Sequence, residues 1–255
     1  MTASVLISDL HLEEARPDLA SFFEELVSVL SGRIDTLYIL GDFFESWIGD
    51  DGAGDFESAI ADSLRHLRDS GTAIRLMHGN RDFLIGQQWL DTFGGELLED
   101  PVSTTIAGTP VTLMHGDSLC TDDVQYMKFR ATARSPQWQQ QILAMPIAQR
   151  RQLAQALRGA SKESQTMKSS EIMDANAQAV LDAFMRHGTP WIIHGHTHRP
   201  AIHSYTVDGS SVFRMVLGDW SDHTHIGWLT PDNPPALVRI DAGRVAQQLD
   251  DLLHA

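Results

Sequence analysis

The 255-residue chain reads as an α/β layered fold carrying a helical insertion. Three observations predict it. Short apolar runs alternate with longer amphipathic ones, the pattern of strands and helices stacked in layers. β-rich runs vanish between Cys120 and His187 and return beyond it. Five apolar runs on either side of this gap end in Asp, Asn or His, four of them beside Gly. The core is therefore expected at 1–119 plus 188–255, and the insertion at 120–187.

The predicted strands are Ser4–Ser8, Thr36–Leu40, Ala73–Met77, Val111–Met114 and Trp191–Ile193, each a short run rich in Val, Ile and Leu. Later β-rich runs are Ala201–Val207, Ser211–Leu217, Ile226–Leu229 and Leu237–Ile240. Helices are expected over Pro17–Leu30, where Pro17 suits a first turn, and over Phe56–Asp69. Inside the insertion the sequence suggests several helices broken at Pro136, Pro146 and Gly159. The clearest is Ile172–Arg186, where Met173, Ala177, Val180, Leu181, Phe184 and Met185 follow helical spacing. No internal repeat or low-complexity tract is found.

The composition narrows the possible roles. A formal net charge of −15 argues against nonspecific nucleic-acid binding, which needs a basic surface. The insertion is the exception, with nine Lys/Arg against six Asp/Glu, so an anionic partner is expected there. No run of about 18 apolar residues exists to cross a membrane, and the first ten residues lack the features of a signal peptide. The single cysteine, Cys120, excludes an internal disulfide and suits a reducing cytosol. It is expected to be a small, partly buried side chain.

Five motifs each follow a predicted strand: "SDLH" with Asp9 and His11, "LGDFFE" with Asp42, "HGNRD" with Asn80, "MHGD" with His115, and "HGHTH" with His196 and His198. In open α/β sheets functional groups gather beyond the carboxyl ends of strands, so five such loops would bring these seven side chains together. Two carboxylates, four imidazoles and one amide carbonyl form a mixed N/O donor set for borderline divalent metals. Seven ligands exceed the needs of one ion but suit two ions sharing a carboxylate. His78, Asp82, Asp117, His194 and Asp219 adjoin these residues and are candidates to orient the imidazoles.

The ordered set Asp-x-His, Gly-Asp, Gly-Asn, His and Gly-His-x-His resembles the calcineurin-like metallophosphoesterase superfamily. The resemblance implies a β-sandwich flanked by helices and a dinuclear centre. One metal would be held by Asp9, His11, Asp42 and His198. The second would be held by Asp42 as bridge with Asn80, His115 and His196. Asp42, Asn80, Arg81 and His115 are the expected catalytic residues.

Arg81 departs from the histidine usual at its position in that superfamily. A guanidinium cannot give up a proton near neutral pH, but it grips phosphate oxygens bidentately. Proton donation matters little when the leaving group is a phosphate monoester, whose second pKa is about 6. The substitution favours cleavage of a phosphoanhydride.

"SDLHL", "LGDFFESWIGDD", "MHGNRDF", "MHGDSLCTDD" and "HGHTHRP" together resemble the UDP-2,3-diacylglucosamine pyrophosphatase family of lipid A biosynthesis. That resemblance implies hydrolysis of a UDP-linked diacylated glucosamine to UMP and the sugar 1-phosphate, with two divalent ions, usually Mn2+. Substrate contacts would come from Asn80, Arg81, Asp123, Ser161, Gln165, Lys168 and His196. The insertion would form a lid, and five of the nine methionines lie in it: Met127, Met145, Met167, Met173 and Met185. With Tyr126, Phe129, Trp138, Ile142 and Leu143 they offer a surface for acyl chains. Lys128, Arg130, Arg134, Arg150, Arg151 and Arg158 would meet phosphates or anionic headgroups. The expected location is cytoplasmic, with a peripheral contact to the inner leaflet of the inner membrane. The partners are then a glycolipid nucleotide and that surface, with no nucleic acid and no protein partner. A phosphatase for nucleotides, dinucleoside polyphosphates or phosphoproteins, and a non-enzymatic scaffold, are the rival readings.

Overall fold

The computed structural model describes residues 3–167 and 174–254, with side chains from 162 to 167 left aside. Two sheets face each other. The first runs β11-β10-β1-β2-β3-β4 and the second β5-β6-β7-β9-β8. In the first, β1 (Ser4–Ile7), β2 (Thr36–Leu40), β3 (Ala73–Met77) and β4 (Glu96–Leu98) are parallel. The antiparallel pair β10 (His223–Thr230) and β11 (Asn233–Asp241) extends it. In the second, β6 (Thr109–Leu113), β7 (Trp191–His194) and β9 (Ser210–Val216) are parallel, flanked by antiparallel β5 (Val102–Ile106) and β8 (Ala201–Val207).

Alternation along each strand divides its side chains between two cores, because successive residues point to opposite faces. On β1, Leu6 faces the second sheet with Leu40, Met77, Leu113, Ile193 and Met215. Its neighbours Val5 and Ile7 point the other way, toward Phe23, Leu26 and Leu64. Those residues belong to α1 (Pro17–Leu30) and α2 (Asp55–Asp69), which cover the first sheet together with α3 (Gln87–Asp91) and α8 (Val245–His254). The outer face of the second sheet is covered by α7 (Ala177–His187), whose Val180, Ala183 and Phe184 pack on Ile192 and Val212. The arrangement is a β-sandwich between helical layers.

The segment before α7 holds α4 (Val124–Ala133), α5 (Pro136–Leu143) and α6 (Ile147–Met167). Pro136 opens α5 at its first turn, with the Ser135 side chain accepting from the Trp138 amide. Gly159 does not break a helix; α6 runs through it, since one glycine costs only about 1 kcal/mol in a helix interior. The helix expected from Ile172 starts at Ala177, where the Asn176 side chain accepts the Ala179 amide as cap. Ile172 and Met173 lie outside the described residues. No helix among the described residues is long and apolar enough to cross a membrane.

Candidate metal centre

The loops that leave the carboxyl ends of β1, β2, β3, β6 and β7 carry all seven candidate ligands. These strands come from both sheets, so the ligands collect at one edge of the sandwich. Asp9, His11 and His198 place one donor atom each within 4.8 Å of one another, and so do Asp42, His115 and His196. The carboxylate of Asp42 faces both groups. Its Oδ2 lies 3.8 Å from His11 Nε2 and its Oδ1 3.8 Å from His115 Nε2. Asn80 Oδ1 lies 3.1 Å from the same His115 Nε2.

The loops could not pass so closely with other residues at two glycines. A Cβ on Gly79 would sit 2.1 Å from the Asp42 amide nitrogen, and one on Gly195 would sit 2.1 Å from Asp9 Oδ2. Asp82, fully buried, ties two loops by accepting the amides of Phe43 and Gly79, each at 2.7 Å. Asp9 accepts the His196 amide with both oxygens, at 3.0 and 2.9 Å. Asp9, His11, Asp42, His196 and His198 all adopt positive φ, between 50° and 67°. Such left-handed backbones are uncommon outside glycine and cluster at functional sites.

The carboxylates set the charge carried by the imidazoles. His115 Nδ1 donates to the Leu40 carbonyl at 2.9 Å, which turns Nε2 toward Asp42 and Asn80; burial opposes its charge, but the Asp42, Asp117 and Asp9 carboxylates outweigh it and raise the pKa. At His196, burial and the neighbouring His115 charge push the pKa down to about 4, so the imidazole is neutral. Burial would raise Asp9, yet the His198 hydrogen bond and the surrounding imidazoles hold it well below the usual carboxylate range. At His11, burial opposes the charge, but the Glu45 contact and the Asp42 and Asp9 carboxylates outweigh it and raise the pKa to about 9. A divalent ion would take over the place that this proton holds among the carboxylates. His11 Nε2, buried and without a hydrogen-bond partner, is an orphaned donor atom of the kind an ion satisfies. The residues fit two metals.

A cavity of about 720 Å³ opens directly onto these groups. Asn80, Arg81, Asp123, Ser161 and His196 all line it, so five of the seven expected substrate contacts share one space. Lys168 lies outside the described residues, as does the Gln165 side chain on α6. Phe83, Phe129, Trp138, Ile142, Leu153 and Leu157 give the same cavity an apolar wall. No methionine among the described residues lines it, against expectation. Met185, for one, points to solvent from α7 and is 58% exposed. Leu143 is likewise exposed.

Three of the six basic residues expected to meet anions are committed elsewhere. Arg150 is buried and donates to the carbonyls of Ile48 and Met145 and to Asp51. Arg130 pairs with Asp100 and Asp117, and Arg134 donates to the backbone beside Asn80. Arg158 lines the cavity, while Lys128 and Arg151 are exposed.

Among the residues flanking the motifs, Asp219 Oδ2 lies 3.7 Å from His198 Nδ1. His78 turns away to the Ile85 carbonyl, and His194 bonds the Gly195 carbonyl. Sequence reasoning missed Glu45, whose Oε2 is 3.0 Å from His11 Nδ1, although it closes the quoted "LGDFFE". It also missed the polar role of Tyr126, whose ring stacks on His196 at 5.9 Å while its hydroxyl donates to Asp117 at 2.5 Å. An isolated aromatic in a helical stretch carries no signal for such a contact.

A family model described as calcineurin-like phosphoesterase matches residues 4–200. The chain is 50% identical over 238 residues to a UDP-2,3-diacylglucosamine hydrolase of Chromohalobacter salexigens, covering 92% of this chain and 96% of that one. It is 49% identical to the Pseudomonas putida F1 protein of the same name, over 88% of this chain and 92% of the relative. A third relative so named, from Marinobacter nauticus, is 46% identical over 92% of this chain and 96% of its own length.

Proposed function

The chain belongs to the calcineurin-like phosphoesterase family, and from that premise we propose that it is a metal-dependent UDP-2,3-diacylglucosamine hydrolase of lipid A biosynthesis. Water adds across the pyrophosphate bond and gives UMP and 2,3-diacylglucosamine 1-phosphate. The observation that carries the assignment is one cavity whose wall combines the candidate metal ligands with Phe83, Phe129, Trp138, Ile142, Leu153 and Leu157. A small nucleotide or dinucleoside polyphosphate would leave these apolar side chains unused.

Asp9, His11, Asp42 and His198 would hold one ion, and Asp42, Asn80, His115 and His196 the other; Mn2+ is the ion we assign. When bound, such a pair polarises the phosphate and supplies hydroxide at neutral pH. Arg81, beside Asn80 in the cavity wall, grips the phosphate oxygens and neutralises charge that develops on them. The departing phosphate needs no proton from it. Asp123, Ser161, Gln165 and Lys168 would position the sugar and phosphates. The insertion 120–187 acts as lid over the core 1–119 plus 188–255. Its working part is α4–α6, whose apolar side chains hold the acyl groups. Exposed Leu143 and Ile147 at the α5–α6 corner, with Arg151 nearby, support peripheral contact with an anionic membrane face. We place the protein on the cytoplasmic face of the inner membrane.

The test is UMP release from UDP-2,3-diacylglucosamine in detergent, with manganese and with chelator, beside an Asn80→Ala control. Fast release that needs the metal and disappears in the control is expected. Metal-dependent cleavage of an aryl phosphodiester without UMP release would remove the lipid substrate and leave only the metal centre.

A further inference from the structure

Helix α4 and its C-cap touch the metal loops through Arg130 and Arg134, one turn apart. Arg134 Nη2 donates to the Gly79 carbonyl at 2.9 Å and to the His78 carbonyl at 3.3 Å. Its guanidinium lies 5.6 Å over the Phe83 ring. These contacts grip both ends of the short loop that presents Asn80 and Arg81. Arg130 Nη2 donates to Asp100 Oδ2 at 3.0 Å. Asp100 Oδ1 in turn accepts the backbone amide of His115 at 3.2 Å. Arg130 Nε also donates to buried Asp117, two residues beyond His115, at 2.8 Å. Asn80 and His115 are the two candidate ligands whose side chains meet at 3.1 Å, and α4 holds the backbone of both.

We infer that Arg134, seconded by Arg130, is a positioning residue that sets Asn80 and His115 at the second metal group. On this account α4 is part of the metal centre as well as part of the roof over the lipid. Gly79 is the residue whose Cα hydrogen faces Asp42 at closest approach, so a small shift of its carbonyl moves Asn80 and Arg81 together. One guanidinium nitrogen, Nη2, serves both carbonyls, and the planar group lies over Phe83, a stacking that an ammonium lacks. Among the described residues, no such brace from α4 reaches the first group, Asp9, His11 and His198.

The inference rests on the dinuclear reading, and its test separates the two. Manganese binding to the whole 255-residue chain is measured by calorimetry and electron paramagnetic resonance for the unaltered chain, Arg134→Ala and Arg134→Lys. The unaltered chain should bind two ions. Arg134→Ala should keep one at unchanged affinity and lose about 10–100-fold at the other, the range for partners that orient ligands. It should lower kcat on both the lipid and a small aryl phosphodiester with little change in KM. Arg134→Lys should fall between, and guanidinium ion added to Arg134→Ala should restore part of the second binding event. Two ions bound equally well by all three proteins would overturn the inference and leave the dinuclear reading intact. Loss of lipid turnover alone would do the same, making Arg134 a lipid contact. If Arg134→Ala does not fold, Arg134→Lys decides: two ions at unaltered affinity there would count against positioning. One ion or none in the unaltered chain would overturn the dinuclear reading itself.

Discussion

Glu45 Oε2 lies 3.0 Å from His11 Nδ1 and so fixes which nitrogen of that ring faces the metal groups. A carboxylate behind a ligating imidazole orients the ring and raises its basicity. Glu45→Ala should weaken manganese binding at the Asp9, His11 and His198 group by about 10–100-fold, read by calorimetric titration. Unchanged affinity would remove Glu45 from the centre.

Arg81 is expected to act as a charge clamp on the phosphate oxygens. Arg81→Ala should lower kcat by about 10²–10³-fold, the usual cost of losing one donor aimed at developing charge, with two metals still bound. Arg81→Lys should recover only part, for want of the fork. In Arg81→His the rate should become pH-dependent near 6.5, the ordinary histidine value, where the unaltered protein shows no such inflection from this position. A pH–rate profile of the three proteins decides it.

Gly159 lies in the interior of α6, and a Cβ there would meet nothing within 4 Å. Gly159→Ala should stabilise the protein by about 0.5–1 kcal/mol through reduced freedom of the unfolded chain. A higher urea midpoint at constant m-value is the expected result; no change would mean that α6 frays before the global transition.

Cys120 is buried, and burial with the nearby Asp117 charge pushes its thiol up to about 12. At pH 8 the thiolate fraction is then about one in ten thousand. Native protein should resist alkylation at that pH and react fully once denatured. The unfolded thiol ionises near 8.5, so between there and 12 the folded chain holds one more proton and stability falls as pH rises. Rapid alkylation of native protein would contradict the burial.

The site was more legible in the sequence than the edges of the fold. Asp9, Asp42, Asn80, His115 and His196 each follow an apolar run that ends abruptly, and parallel strands buried on both faces produce such runs. β5 was not read because Val102–Ile106 is mostly polar and alternates in exposure on an edge strand. β4 has only three residues and α3 five, too few for a period to appear. α8 was legible in principle, since Val245 and Leu249 are the buried pair one turn apart. The brace from Arg134 to Gly79 could not be read, because a backbone carbonyl leaves no mark on residue type. Gly159 misled because a glycine signals a break only where the backbone needs its freedom, and α6 does not.

Five of the seven candidate ligands sit on left-handed backbones, each a conformation that costs of order 1 kcal/mol for a residue with a side chain. Two of the carboxylates they carry are also buried. The ion that offsets both would therefore serve as a keystone of the folded chain and not only as a reagent, by simple mass action on the native state. Starved of metal, the protein would not wait as an idle enzyme. It would open more often at this edge of the sandwich and be cleared by proteases, so that metal supply sets how many copies exist as well as how fast each one works.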